Sequence, residues 1–356
     1  MLQKSRSVQI PKRQGQKTIE LLCKLGLLDK NLQIKKDHDS IYAPITRQIS
    51  KQELSILKDA KIEFAEEEGR FEQKAQQKKS LADELSKELS PHLLATLPHS
   101  LDLIGDIAII EIPPELEAQR EAIGKAILRL HRNVHTVLGK AGAVSGKFRT
   151  RQFDFLAGEP RTETTHKEHG CLYRVDVAKT YFSPRLSQEH KRVSSLVQEG
   201  ETITDLFSGV GPFAVLIAKE HENVQAYAID ANPDAVKYLK TNIRLNGVIG
   251  KVHPLLGDAK EVVDKKIHGA ADRVIMNLPE TAIEYVDVAC QALKPEGGIV
   301  HFYSFTDTEN TLQDVMRRFV ASVESSRRKI KKILGQRVVR ETAPHEAQIV
   351  VDARVA

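Results

Sequence analysis

Between Thr202 and Phe305 the chain alternates short β-branched runs with helical periods, and the first run ends in the glycine turn Asp205-Leu206-Phe207-Ser208-Gly209-Val210-Gly211-Pro212-Phe213. The order is strand TITDLF, helix FAVLIAKEH, strand VQAYAID, helix NPDAVKYLKTNIRLNG, strand VHPLLGD, strand DRVIMNLP, helix AIEYVDVACQAL and strand GIVHFYSF. Strands separated by helices are long enough apart to run parallel, so this pattern predicts a doubly wound, Rossmann-like sheet with helices on its faces. Little else that a chain can fold into satisfies it.

Ligands of such sheets bind outside the carboxyl ends of the strands, so the residues at those ends are the candidate site. Glycines at the first strand end, Gly209 and Gly211, let backbone approach a ligand closely beside Phe207. No Gly-Lys-Ser/Thr follows, which excludes a triphosphate-binding loop, and the third glycine of a dinucleotide fingerprint is replaced by Ala214. Asp230, with Ala231 after it, ends the second strand about twenty residues past the glycines, where a carboxylate can accept both hydroxyls of a ribose. Asp258-Ala259 ends the third strand, the place for an adenine edge. Asn277-Leu278-Pro279 ends the fourth. Each feature alone also reads as a plain turn or helix cap; four at the correct strand ends are far more specific. An Asn side chain offers a donor and an acceptor, which suits holding a purine or amide nitrogen in a fixed plane for attack on a sulfonium methyl group, and the proline stiffens the turn.

The preceding sequence organises into two further α/β units. Residues 17–30 carry apolar side chains at helical spacing and short β-like runs follow near 32–34 and 41–45, so residues 1–65 form a small N-terminal domain. The stretch AEEEGRFEQKAQQKKS, residues 65–80, is charged and poor in apolar residues, which predicts a linker or exposed helix across 66–90. A middle α/β domain spans 91–175, with LIGDIAIIEIP as a strand stopped by Pro113-Pro114, then the helix ELEAQREAIGKAILRLH and a β-like run over 171–182. The Rossmann-like domain takes 176–356.

At 356 residues the chain is long enough for several cores, and no run is apolar enough to span a membrane. The N-terminus carries no apolar signal segment, so a cytoplasmic protein is expected. Cys23, Cys171 and Cys290 lack metal-ligand or disulfide spacing; all three are expected to pack in cores, and no metal site is expected. Net charge is only +5, but eight Lys/Arg against one acid lie between Arg120 and Arg151, and seven with no acid from Arg327 to Arg340. Two such stretches would suit a phosphate backbone; on their own they read equally as solvated faces.

With these residues in place, the chain resembles the archaeal and eukaryotic tRNA (guanine-N1) methyltransferases that modify the guanosine 3′ of the anticodon, at position 37. The resemblance covers nearly the whole chain, through GKFRTRQFDFLAGEPRTETTHKEHG (146–170), YFSPRL (181–186), DLFSGVGPF, AIDANPDA, RVIMNLP and APHEAQIVVD (343–352). It implies a class I methyltransferase that uses S-adenosyl-L-methionine. It also implies that the small N-terminal domain touches the outer corner of tRNA while the anticodon loop enters the site, with the protein acting as a monomer.

The resemblance further implies roles. Arg149, in Phe-Arg-x-Arg, would neutralise charge building on guanine O6, and Glu189 would take the N1 proton, a role expected to need a raised pKa in a closed site. Asn277 and Pro279 would cradle the guanine and the methionine end of the cofactor. Asp230, Ala231, Asp258 and Ala259 would hold ribose and adenine. Where the family often carries arginine after the glutamate, this chain has His190, which puts that position's cofactor contact in doubt; Lys191 or Arg192 could compensate in a shifted register. Rival readings are aminocarboxypropyl transfer in wyosine synthesis, against which Asn-Leu-Pro speaks, additional methylation of a tricyclic wyosine intermediate, and a catalytically dead tRNA-binding protein.

Overall fold

The computed structural model describes residues 2–73, 79–98, 100–142, 146, 148 and 150–356. The chain forms two compact units, 1–79 and 80–356.

The first unit contains β1 (Leu2–Pro11), α1 (Gly15–Lys24), β2 (Lys35–Lys36), β3 (Ser40–Ile45), α2 (Lys51–Asp59) and β4 (Ala65–Glu72). Its antiparallel sheet has the order β2-β3-β1-β4 and buries Val8, Ile10, Leu22, Leu27 and Leu57 in one core. Helix α2 starts on a capping box, in which Ser50 and Glu53 satisfy each other's backbone N–H. The expectation of a linker from residue 66 is corrected here: AEEEGRFE is an edge strand paired along β1 from Gln9↔Ala65 to Leu2↔Glu72. Only Phe71 of β4 is buried, so the strand carries no hydrophobic alternation to read, and backbone pairing holds it. Its charges are what an edge strand uses to deter further pairing. Cys23 is exposed rather than packed, while Cys171 and Cys290 are buried.

The second unit opens with α3 (Leu81–Leu85) and α4 (Pro91–Ala95), followed by β5 (Leu101–Ile104), β6 (Ile107–Ile110), α5 (Arg120–Leu130), β7 (Thr136–Lys140) and β8 (Phe153–Gly158). These four strands form a sheet ordered β5-β6-β7-β8 over a core of Leu85, Ile110, Ile123, Ile127 and Val137. The run expected to be one strand over 103–113 is two strands folded back at Gly105-Asp106. Gly105 has φ +58°, and a Cβ there would sit 2.2 Å from Thr164 Oγ1. Only glycine takes that turn without strain.

Next comes the hairpin of β9 (Glu163–Glu168) and β10 (Cys171–Asp176). The expected domain boundary at 175/176 falls inside β10, and the hairpin is sewn to the following domain. Tyr173 packs with Phe213 and Leu216, and Asn242 and Asn246 accept from the backbone N–H groups of Arg174 and Leu172 at 2.7 and 2.9 Å.

The remaining elements are α6 (Ser187–Leu196), β11 (Thr202–Asp205), α7 (Pro212–Glu220), β12 (Gln225–Asp230), α8 (Pro233–Leu245), β13 (Val252–Leu256), α9 (Ala259–Val262), β14 (Arg273–Met276), α10 (Val286–Ala292), β15 (Gly298–Thr306), α11 (Leu312–Ser325), β16 (Ile330–Ala343) and β17 (Glu346–Val355). Their sheet is ordered β13-β12-β11-β14-β15-β17-β16. The first five strands are parallel, and β17 and β16 add antiparallel at one side. Strand order reverses between β11 and β14, which opens the crevice where ligands of such sheets bind. The C-terminal hairpin was not legible beforehand, because four register shifts along β16 break its alternation.

The first basic stretch is also corrected by the fold. Arg120 pairs with Glu117 and Lys125 with Glu121 along the chain, while Arg129 pairs with Glu84 and Lys140 with Glu111 from farther off, so acids outside the stretch offset part of the expected field. Among the described residues no helix is long and apolar enough to cross a membrane.

Candidate active site

Three strand ends and one turn build a cavity of about 840 Å³, counted to its open mouth. After β11 the chain turns through Leu206, Phe207 and Gly209 along the wall, and after β12 Asp230 and Ala231 line it. The Asp230 carboxylate is aimed by backbone: Gly209 N–H donates to Oδ2 at 2.7 Å and Asn232 N–H to Oδ1 at 2.8 Å. An ionised carboxylate has about four acceptor sites, so roughly two remain for a guest, one on each oxygen. That arrangement fits a pair of adjacent hydroxyls.

Gly211 does not line the cavity. It caps α7 with φ +92°, and a Cβ there would lie 2.4 Å from Leu239 Cδ1, so its role is to let the helix start under the turn. Asp258 lines the cavity and also caps α9, accepting from Lys260 N–H at 3.0 Å; the cap and ligand readings of this residue coexist. Ala259 lines the wall beside it. Opposite, Tyr285 meets Phe207 edge to face at 5.0 Å and carries the Lys260 ammonium over its ring. Asn277, Leu278 and Pro279, leaving β14, complete the wall with Gln348 from β17.

Beneath the turn, Asp205 is fully buried. Burial pushes its carboxyl up to about 7, against one N–H from Phe207, and the neighbouring Asp230 charge adds to the rise. Burial likewise pushes Asp230 up, opposed by the N–H groups of Asn232 and Gly209.

Glu189 and His190 lie elsewhere. Glu189 is on α6 with its side chain 1% exposed, and it does not line the cavity. It is gripped by the Arg192 guanidinium, by Tyr303 Oη–H at 2.6 Å and by Arg337. Burial pushes its pKa up, but the hydrogen bonds from Arg192 and Tyr303 and the charges of Arg192 and Arg337 outweigh this and hold it below the ordinary carboxylate value. The expected raised pKa is therefore corrected: Glu189 is an ion-paired anion. Arg192 continues to Asp352 at 2.5 Å, and Asp352 to His301 Nδ1 at 2.5 Å. Arg273 donates to His301 Nε2 at 2.8 Å, and because a guanidinium only donates, the proton of neutral His301 sits on Nδ1. His190 is buried with Nδ1 2.7 Å from Glu168 and its ring edge-on to Phe213, away from the cavity. Its expected cofactor contact is corrected accordingly. Lys191 pairs with Glu220 and Arg192 with Glu189 and Asp352, and neither lines the cavity, so neither stands in for the contact expected at His190.

Arg149 lies outside the described residues, although Phe148 before it lines the cavity. A second, more polar groove adjoins the first through Tyr181 and carries Lys140, Arg151, Arg185 and Arg340. Arg185 is held by Asp102 at 2.6 Å. Sequence reading missed Tyr285, Tyr303, Arg340 and Gln348. Tyr285 and Tyr303 had no motif to mark them; Arg340 closed the basic stretch from Arg327 and Gln348 stood within APHEAQIVVD, both without an assigned task.

Residues 164–331 match the TRM5/TYW2 methyltransferase domain, 81–162 the TYW2 N-terminal domain and 7–53 the tRNA methyltransferase 5 N-terminal domain. The tRNA (guanine(37)-N(1))-methyltransferase Trm5b of Pyrococcus abyssi is 37% identical over 98% of this chain and 99% of its own length. The chain belongs to the TRM5/TYW2 methyltransferase family. The crystal structure of P. abyssi Trm5b covers 99% of both chains with a TM-score of 0.73 at 36% identity, and a complex of aTrm5 with tRNALeu covers 98% of this chain and 99% of its own with a TM-score of 0.69 at 32% identity. The tRNA 4-demethylwyosine(37)-methyltransferase Taw21 of Saccharolobus solfataricus is 37% identical over 71% of this chain and 93% of its own length. As a TRM5/TYW2 family methyltransferase, the chain builds most of its cavity from the domain that names the family, with Phe148 added from the preceding matched domain and Gln348 from the C-terminal strand.

Proposed function

We propose that this chain is a cytoplasmic enzyme that transfers a methyl group from S-adenosyl-L-methionine to N1 of guanosine 37 in tRNA. The carrying observation is the convergence of Asp230, Asp258 and Asn277 on one cavity, in a chain matched end to end by a tRNA (guanine(37)-N(1))-methyltransferase. The residues present fit the cofactor: Asp230 keeps an acceptor on each oxygen for a ribose diol, Ala231 and Ala259 leave room for a flat base, and Asp258 offers an acceptor to its edge. S-adenosyl-L-methionine supplies the activated methyl group.

In this reading Asn277 and Pro279 fix the plane of the guanine, and Arg149 neutralises charge on its O6. Glu189 accepts the N1 proton only once tRNA binding brings its carboxylate to the cavity and frees it from Arg192, Tyr303 and the 43% exposed Arg337. The guanosine leaves its loop stack to reach the cavity. Residues 1–79, a separate unit, are assigned to the tRNA elbow, the polar groove to the anticodon loop, and the protein acts as a monomer.

The wyosine alternative has support from the likeness to Taw21, but that match leaves more than a quarter of this chain uncovered, whereas the Trm5b match runs end to end. The deciding experiment incubates a tRNA transcript with labelled S-adenosyl-L-methionine and maps the product by mass. A mark at N1 of guanosine 37 is expected. A mark on another atom overturns the substrate assignment, and lack of cofactor binding by calorimetry favours a dead tRNA-binding protein.

A further inference from the structure

Gln348 is 1% exposed yet contributes to the cavity wall, and its carboxamide is tied at both ends. Arg340 Nε–H donates to Gln348 Oε1 at 2.9 Å, and Gln348 Nε2–H donates to Asn277 Oδ1 at 3.1 Å. A carboxamide can turn over and exchange its oxygen for its nitrogen; a guanidinium has only donors. Arg340 therefore fixes which end of Gln348 faces it, and Gln348 in turn fixes which end of Asn277 faces Gln348. Arg340 is itself steadied by Ser183 Oγ at 3.3 Å and Tyr181 Oη at 3.4 Å, on the segment lining the polar groove. No described residue accepts from Asn277 Nδ2.

We infer that Gln348 is a positioning residue for the methyl transfer, acting with Arg340 to lock the Asn277 carboxamide so that its NH2 group, rather than its oxygen, meets the guest. The inference rests on the reading of Asn277 as the residue that holds the target base. It specifies the partner edge. The group opposite Asn277 is a hydrogen-bond acceptor such as a ring carbonyl, which gains negative charge as the neighbouring ring nitrogen loses its proton. A donor pointed at that oxygen binds the charged form more tightly than the neutral one, so the lock acts on rate more than on affinity. β-Strand alternation places Gln348, Val350 and Asp352 on one face of β17, so the lock and the anchor that holds Glu189 stand on the same strand face.

The test uses the full chain with two variants. In Gln348→Glu the carboxylate still accepts from Arg340 but can only accept from Asn277, which turns the Asn277 oxygen outward. In Gln348→Met the shape is kept and the lock removed. Single-turnover methylation of tRNA is expected to fall about tenfold or more in Gln348→Glu and several-fold in Gln348→Met, the factor a single well-aimed hydrogen bond supplies. Dissociation constants for S-adenosyl-L-methionine and tRNA, and the thermal midpoint, are expected to stay near wild type. In an Asn277→Ala background both substitutions lose their effect, to within about twofold. An unchanged rate in Gln348→Glu, or the same loss with and without Asn277, overturns the inference. The marked atom is mapped in the same reactions. A mark away from N1 of guanosine 37 sinks the substrate reading instead, while the coupling between Gln348 and Asn277 is read from the rate whichever atom carries the methyl group.

Discussion

Tyr303 donates its phenolic proton to Glu189 across 2.6 Å inside the sheet–helix interface, with both side chains removed from solvent. The bond joins the middle of β15 to the first turn of α6 and holds a carboxylate ionised within reach of two arginines.

Removing that phenol raises the pKa of Glu189, because a donor to the charged form is lost while burial remains. Tyr303→Phe is expected to cost about 1 kcal/mol of stability. If Glu189 is the base, the acid limb of the pH–rate profile moves to higher pH in Tyr303→Phe, and Glu189→Gln slows single-turnover transfer strongly with little change in tRNA affinity. A Glu189→Gln enzyme that keeps the wild-type single-turnover rate removes Glu189 from the chemistry.

Burial of Asp205 makes the protein's stability fall as pH rises from mild acid. Its folded pKa of about 7 lies above the ordinary 3.8, so between those values the folded state holds a proton that the unfolded state has lost. Its stabilising contribution is full below pH 3.8 and is lost as pH rises through 7. Asp205→Asn is expected to raise stability at pH 8 by on the order of 2–4 kcal/mol, seen as a higher thermal midpoint, and to gain little at pH 4. Asp352 works in the opposite direction. Held down at about 2 by His301 and Arg192 against the upward push of burial, it stabilises above pH 3.8 and fails as pH falls toward 2. A midpoint of Asp205→Asn that does not depend on pH contradicts this account.

At the turn, two substitutions separate ligand contact from backbone geometry. Asp230→Asn is expected to weaken S-adenosyl-L-methionine by roughly tenfold or more in calorimetry, since one oxygen becomes a donor facing a backbone N–H. Gly211→Ala forces a side chain into φ +92° against Leu239 and is expected to cost about 1–3 kcal/mol, read as a lowered thermal midpoint.

Residues 1–79 form their own core around Val8, Leu22 and Leu57. A chain beginning at Ser80 is expected to keep its affinity for S-adenosyl-L-methionine and to lose tRNA affinity, seen as a raised KM for tRNA with a smaller change in kcat. Equal tRNA affinity in the truncated chain would remove the N-terminal unit from recognition.

The sequence by itself determined the doubly wound sheet and the strand ends that carry Asp230, Asp258 and Asn277. Those features rest on local periodicity and on turn chemistry, both of which act over a few residues. Tertiary structure decided the rest. The edge strand Ala65–Glu72 exists through pairing with β1 and has no pattern of its own. Arg129 of α5 meets Glu84 of α3, and Glu189 meets Arg337 almost 150 positions away, so the state of these charges depended on partners that spacing does not reveal. The Arg340–Gln348–Asn277 chain is of the same kind: one link joins β16 to β17 and the next reaches past β15 to the end of β14, and only the folded sheet could say which face of Asn277 is free.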